Sequence, residues 1–237
     1  MKNYFKNRKI LEDGNVYSKS MEHDACGVGL IASTEGKKSR KVVEYGISAL
    51  KAVFHRGAVD ADGKTGDGAG IHLEIPSDFF AEKIEITGHQ HDSSDICVGM
   101  IFLPRNNYEA QENARTLVES ELTKSNFNIY GWRQVPVNTK VLGEKANFTR
   151  PEITQVLFKN NDKSLRGKDL ERKLYESRRK IEKEAIKNAI DGFYICSLSS
   201  KSIIYKGMFL AESIAEFYTD LNDERFISRY VIFHQRF

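Results

Sequence analysis

The chain of 237 residues sets 36 Lys and Arg against 33 Asp and Glu, and a net charge of +3 gives no electrostatic reason to expect nucleic acid as a partner. Hydrophobic residues at 40% and charged residues at 29% suit a folded globular chain, and no apolar run approaches the roughly 18–20 residues of a membrane span. The first twenty residues are basic but lack an apolar core, which argues against a secretory signal, while three widely separated cysteines fit a reducing cytoplasm better than a disulfide framework.

Residues 1–25 are polar and show no sustained period. "CGVGLIAS", beginning at Cys26, reads as a short buried strand, with glycines where another group comes close. Ser39 can cap a helix whose apolar face is Val42, Val43, Ile47, Leu50 and Phe54, with Gly57 as its C-terminal stop. "GAVDADGKTGDGAG" is a loop, and "IHLEIP" alternates as a strand ended by Pro76. "GHQHDSSD", with His89, His91, Asp92 and Asp95, reads as a solvated loop rather than a metal site, and no zinc-type spacing occurs elsewhere.

The continuous apolar run "DICVGMIFLP" predicts a central strand with Cys97 in the core. Residues 108–124 read as a helix, and "FNIYGWRQVPV" and "ITQVLFKN" as strands. Leu170, Leu174, Ile181, Ala185 and Ala189 space a long amphipathic helix over 168–188, whose interleaved basic and acidic residues suit a solvated face. "FYICSLSS" and "SIIYKGM" suggest a hairpin with Cys196 in the core. A short helix "AESIAEFY" and a last strand "RYVIFHQRF" follow. Paired strands with interspersed helices favour one α+β domain of stacked antiparallel sheets over a regular βαβ alternation. Phe237 closes an apolar strand with no turn or polar tail, so the sequence reads as cut in mid-domain.

The glycine-rich loop invites two motif readings, and both fail on spacing. A phosphate loop ending at Gly63-Lys64-Thr65 needs glycine at 58, where Ala58 stands, and a helix after it, where a strand is expected. A calcium loop starting at Asp60 is defeated by Lys64, Thr65 and Ile71 at its required ligand and turn positions. The loop is left as a flexible connection that brings "AGIHLEIP" beside the cysteine strand.

Taken alone, a cysteine opening an apolar strand is more often core than catalytic. As a nucleophile it needs a base, because an unperturbed thiol has a pKa of about 8.5. No histidine is placed by sequence to pair with it. Cleavage of the Ala25–Cys26 bond would supply one: an α-amine with a pKa of roughly 7.7–8.0, held on the same residue.

"EHDACGVGLIAS" followed by "ALKAVFHRGAVDADGKTGDGAGIHLEIP" resembles the start of the glutamine amidotransferase domain of the large (alpha) subunit of glutamate synthase. "YGWRQVPVN", "VLGE", "YKGM", "DERF" and "HQRF" resemble later stretches of that family, in order, so the likeness spans nearly all of residues 21–237. It implies an Ntn-hydrolase four-layer αββα sandwich, here incomplete at its C-terminal end, with residues 1–25 as a propeptide and residues 26–237 as the N-terminal part of the domain. Cys26 is then the mature N-terminus and the nucleophile that turns L-glutamine into a γ-glutamyl thioester and ammonia. Gly27 shapes the backbone around it, Arg56 supports the active centre, and Arg236 grips the substrate α-carboxylate. The resemblance places the oxyanion hole and the aspartate for the substrate amine beyond Phe237, so this stretch alone is expected to be inactive. It also implies no cofactor in this segment, an FMN and an iron–sulfur cluster elsewhere in the enzyme, and partnership with the rest of the large subunit and a small NAD(P)H-oxidising flavoprotein subunit. Other readings kept open are a class II amidotransferase of the phosphoribosyl or glucosamine type, and a non-catalytic truncated product.

Overall fold

A computed structural model describes residues 2–14, 18, 26–90 and 96–236. The chain runs through helix α1 (Lys2–Asp13), strand β1 (Gly27–Ala32), α2 (Arg40–Ala52), a 3-10 turn at Phe54–Arg56, β2 (Ala69–Glu74) and α3 (Ser77–Glu85). It continues with β3 (Ile96–Leu103), α4 (Tyr108–Lys124), β4 (Phe127–Gln134), α5 (Glu144–Thr149), β5 (Glu152–Asn160) and α6 (Gly167–Lys187). It ends with β6 (Tyr194–Ser199), β7 (Ser202–Gly207), α7 (Ile214–Phe217) and β8 (Tyr230–Gln235).

The strands form two antiparallel four-stranded sheets, ordered β1-β8-β2-β7 and β4-β5-β3-β6. One face of the second sheet carries Ile101, Leu103, Val156, Phe158 and Ile195, which pack on Val118 and Leu122 of α4 and Leu174 and Ile181 of α6. Its other face, with Val98, Met100 and Leu157, shares a core with Ile71, Leu73, Tyr205, Val231 and Phe233 of the first sheet and with residues of α2 and α3. This arrangement bears out the α+β expectation of two stacked antiparallel sheets with helices.

A buried ion pair ties the two sheets together. Arg133 on β4 forks onto Asp220 with bonds of 2.6 and 2.7 Å and also donates to Gln155 Oε1 at 2.7 Å. Gln155 Nε2 in turn donates to the Tyr205 hydroxyl of β7 at 3.2 Å. The planar guanidinium satisfies both carboxylate oxygens at once, which offsets the cost of removing the charges from water.

Several local expectations hold. Ser39 caps α2 by accepting from Val42 N. Strand β3 is central, with Cys97 and Cys196 buried. The polar face of α6 is laced with ion pairs such as Arg172–Glu176 and Arg178–Glu182.

Others need correction. Helix α2 stops at Ala52, so Phe54 lies in the 3-10 turn and is exposed, and Gly57 caps that turn instead of the helix. Ala189 falls outside α6 at φ +50. β6 and β7 follow one another but lie in different sheets, so they are no paired hairpin. β8 is inserted between β1 and β2, so β2 is not beside the cysteine strand and β8 has no free edge. β1 is an edge strand rather than a buried one: Val28 is 68% exposed and Leu30 61%. Helix α1 forms where no period was apparent, and α3 and α5 were not anticipated. His91, Asp92 and Asp95 lie outside the described residues.

Candidate active site

Cys26 stands at the head of β1, and it is exposed, while Cys97 and Cys196 are buried. The difference is chemical as well as spatial. Burial pushes the Cys196 thiol up to about 12, so it holds its proton at neutral pH. Of the three thiols, only Cys26 is open to a solution reactant.

The register of β1 on β8 ends with Gly27 opposite Gln235. Cys26 precedes Gly27 and Arg236 follows Gln235, so each adjoins the last pair at this end of the two strands. Gly27 permits a close approach at this end of the strand: a Cβ there would lie 3.2 Å from Arg56 Cβ and Cγ and 3.4 Å from Val53 Cβ. The 3-10 turn at Phe54–Arg56 therefore packs directly under the residue after the thiol, and places Arg56 beside it. Gly57 is equally constrained, since a Cβ would fall 2.1 Å from Gln235 Nε2 and 3.1 Å from Asp67 Oδ1.

That contact leads to two residues that the sequence reading missed. Gln235, buried, donates to Asp67 Oδ1 at 3.5 Å, and Asp67 Oδ2 lies 3.5 Å from Arg236 Nε. Arg236 itself has φ +81, a left-handed backbone that is costly outside glycine, and its N–H donates to Gly68 O at 2.7 Å. Gly68 has φ +125, a conformation glycine adopts without penalty. The end of β8 is thus bent by a backbone bond and an ion pair so that Arg236 leaves the strand path just past the Gly27–Gln235 pair. Asp67 could have been found as the aspartate nearest the strand in "GDGAG", but nothing local marks it as the partner of a residue 169 positions on.

Directly opposite residues of an antiparallel pair share a face, so His234, paired with Val28, lies on the same side as that exposed residue. Burial, with a smaller effect of Lys206, lowers its pKa and holds the imidazole neutral. His55 instead packs edge-on against Phe54.

The glycine-rich loop is not the loose connection expected. Asp62 accepts from the backbone of Lys64 and Thr65 at 3.0 and 2.7 Å and from the Thr65 hydroxyl at 2.5 Å. These bonds hold its carboxyl well below the ordinary range. Lys145 of α5 pairs with Asp60 at 2.8 Å, and Gly143 leaves room that a Cβ would take, 2.1 Å from Asp62 Oδ2. The carboxylates are spent on shaping the loop, which then delivers Asp67 and Gly68 to Arg236. Among the described residues no group of three His, Cys, Asp or Glu is arranged to hold a metal ion. His89 bonds Thr87 Oγ1 through Nδ1 at 2.9 Å. No helix of the described residues is long and apolar enough to cross a membrane.

Comparison with known proteins agrees with this geometry. Residues 26–237 match the family of class II glutamine amidotransferases, so the match opens on Cys26. The chain is 54% identical over 231 residues to the glutamate synthase [NADPH] large chain of Azospirillum brasilense, covering 98% of this chain and 15% of that protein. It is 38% identical over 217 residues to ferredoxin-dependent glutamate synthase 2 of Synechocystis, covering 91% and 14%. It is 39% identical over 218 residues to the chloroplastic ferredoxin-dependent glutamate synthase of Spinacia oleracea, covering 91% and 13%. The chain thus spans about 15% of the length of the curated relatives it matches. With a family match over all but the first 25 residues and an exposed cysteine at its opening position, the chain belongs to the class II glutamine amidotransferases, an Ntn-hydrolase family.

Proposed function

We propose that this chain is the glutaminase portion of a glutamate synthase, with Cys26 as the nucleophile and residues 1–25 as a propeptide. The observation that carries the reading is the position of Cys26. It is the one exposed thiol of the chain, the first residue of the family match, and it adjoins Gly27, whose strand partner Gln235 precedes Arg236.

In this reading cleavage after Ala25 frees the α-amine of Cys26, which takes the thiol proton as the sulfur attacks the side-chain amide carbon of glutamine. Collapse of the tetrahedral adduct expels ammonia, which leaves with the proton held by the amine. Water then resolves the γ-glutamyl thioester to glutamate. Arg236 receives the substrate α-carboxylate in its guanidinium fork, Asp67 fixes that fork, and Gly27 and Arg56 hold the backbone under the nucleophile.

The ammonia is used by another part of the enzyme to aminate 2-oxoglutarate reductively. The FMN and iron–sulfur cluster of that step belong to portions of the protein outside this chain, whose three cysteines lie far apart in sequence. The higher identity to the NADPH-type large chain, 54% against 36–39% for the ferredoxin-dependent relatives, favours partnership with a small NAD(P)H-oxidising flavoprotein subunit over ferredoxin. Two buried free thiols and an exposed third suit a reducing cytoplasm.

The test uses the polypeptide at its full natural length. A diazoketone analogue of glutamine should label Cys26, located by peptide mass spectrometry, on a chain whose first residue is Cys26. Cys26→Ser should abolish both labelling and ammonia release. Labelling at another residue, or unchanged ammonia release from the serine variant, overturns the assignment.

A further inference from the structure

The end of β8 holds a polar group that the fold leaves unfinished. Gln235 is 1% exposed, and among the described residues its side-chain oxygen, Oε1, accepts no hydrogen bond. The other end of the amide is engaged: Nε2 donates to Asp67 Oδ1 at 3.5 Å. An ionised carboxylate accepts and does not donate, so the nitrogen has to face Asp67 and the oxygen has to face away from it. The amide is also confined. It lies against Gly57, where a Cβ would fall 2.1 Å from Nε2 and 2.9 Å from Cδ. A buried carbonyl oxygen that bonds to nothing is disfavoured, and native structures rarely keep one. Gln235 Oε1 therefore calls for a donor from outside the bonds already made.

The register indicates which donor. Gln235 is paired with Gly27, and directly opposite residues share a face. Opposite Cα atoms in an antiparallel pair are about 4.5–5.5 Å apart and consecutive ones about 3.8 Å, so a glutamine side chain and one hydrogen bond are long enough to span from Gln235 to the nitrogen of the residue before Gly27. That residue is Cys26. While Ala25 is attached, its nitrogen is a peptide N–H held in the plane of the amide. Cleavage turns it into an amine that rotates about a single bond and carries more than one N–H.

We propose that Gln235 is a positioning residue for the liberated α-amine of Cys26, with Oε1 accepting one of its N–H groups. This rests on the reading of Cys26 as the mature N-terminus. A neutral amine has two N–H bonds and one lone pair, and the lone pair is what takes the thiol proton. Tying one N–H to a buried, confined acceptor restricts the directions in which the lone pair can point. The same bond strengthens when the proton arrives, because an ammonium N–H is the better donor. Gln235 and Asp67 touch but act on different partners: Asp67 holds Arg236, while the Gln235 oxygen holds the base.

The experiment uses the full-length protein, with its first residue established by mass spectrometry. Gln235→Met keeps the length of the side chain and removes the acceptor, and Gln235→Glu supplies a stronger one. For ammonia release, kcat should fall about tenfold or more in Gln235→Met, with KM for glutamine within about twofold. The acid limb of the kcat/KM profile reports the amine losing its proton. It should move to lower pH in Gln235→Met and to higher pH in Gln235→Glu, by about half a pH unit or more each way. Acid limbs that stay in place or move in the same direction overturn the proposal. So does a rise in KM with kcat unchanged, which would assign Gln235 to the support of Arg236. If neither variant folds, a crystal structure of the unsubstituted mature protein gives the answer: the Cys26 nitrogen should lie within about 3.2 Å of Gln235 Oε1, and a different donor at that oxygen overturns the proposal. A mature chain that does not begin at Cys26 overturns the parent reading as well, whereas an active enzyme that begins at Cys26 with unmoved acid limbs overturns the role of Gln235 alone.

Discussion

β3 and β1 are both apolar strands with an internal glycine, and they occupy opposite environments. β3, "ICVGMIFL", lies inside its sheet with all but one residue buried, because β5 and β6 flank it, α4 and α6 cover one face and the shared core fills the other. β1, "GVGLIA", is an edge whose alternate residues Val28 and Leu30 face out, in line with Ile232 of β8. The first kind of strand is scaffold. The second keeps one face exposed among the described residues, and the exposed Cys26 immediately precedes it. In the proposed reading the nucleophile, which must be reached, precedes the least enclosed strand, while Arg56 packs against Gly27 and Asp67 pairs with Arg236 near the same end.

This contrast can be broken by mutation, and the largest effects belong to the enclosed sheet and its buried link. Asp220→Ala would leave the Arg133 guanidinium buried without its partner, with an expected loss of about 3–5 kcal/mol in urea denaturation. Phe158→Ala, at a fully buried ring that meets Phe127 edge-on, should cost a similar amount, about 3–5 kcal/mol. Losses below about 1 kcal/mol at both positions would remove the distinction between the sheets.

Gly29→Ala sharpens the comparison within β1 itself. The inward face of this edge strand is tightly packed, and a Cβ there would lie 2.2 Å from the Phe233 ring. The ring must move, with an expected cost of about 1–3 kcal/mol. Asp67→Asn tests the aiming of Arg236. In a glutaminase assay of the full-length protein, KM for glutamine should rise roughly tenfold, equivalent to about 1.4 kcal/mol, with the urea midpoint unchanged. An equal fall in kcat with KM constant would count against a role in binding the carboxylate.

A pH experiment gives a smaller effect. Arg225 pulls the Asp223 carboxyl from 3.8 down to about 2. A depressed carboxyl pKa stabilises the fold above its unfolded value, and that contribution is lost as pH falls through the folded value. The urea midpoint of the native chain should therefore exceed that of Asp223→Asn near pH 5, and the gap should close by about pH 2. A gap that widens on acidification reverses the assignment. The smallest effect is expected for Leu30→Ser on the open face, within about 0.5 kcal/mol of the native chain. A loss of 2 kcal/mol there would mean that the face is covered in solution.

Much of this was legible from local pattern. The spacing of Leu170, Leu174, Ile181 and Ala185 marked α6, Ser39 marked the start of α2, and the unbroken apolar run marked β3. These signals are carried by neighbouring residues, and neighbours in sequence are what a helix face or a cap is made of. Helices α3 and α5 were missed because "SDFFAEKIE" and "EKANFT" are too short to display a period. β1 was expected to be buried because an apolar run reports burial propensity without saying which side of a strand has a neighbour. In the candidate site, Cys26, Gly27, Arg56 and Arg236 were named from a family resemblance, and the structure brings them to one end of the β1–β8 pair. Asp67 and Gln235 were not named, because their roles exist only where the glycine loop meets the end of β8.

The sequence by itself determined that this is an α+β chain with a cysteine poised at the head of an apolar strand, because hydrophobic period, capping residues and motif spacing are local properties of the chain. Tertiary structure alone decided that β8 enters between β1 and β2, and that Gly27, next to Cys26, is paired with Gln235, next to Arg236. It alone turned an apparently flexible loop into the support for that arginine. Strand order follows from which apolar faces can be buried together across nearly the whole length of the chain, and no short stretch of sequence contains that information.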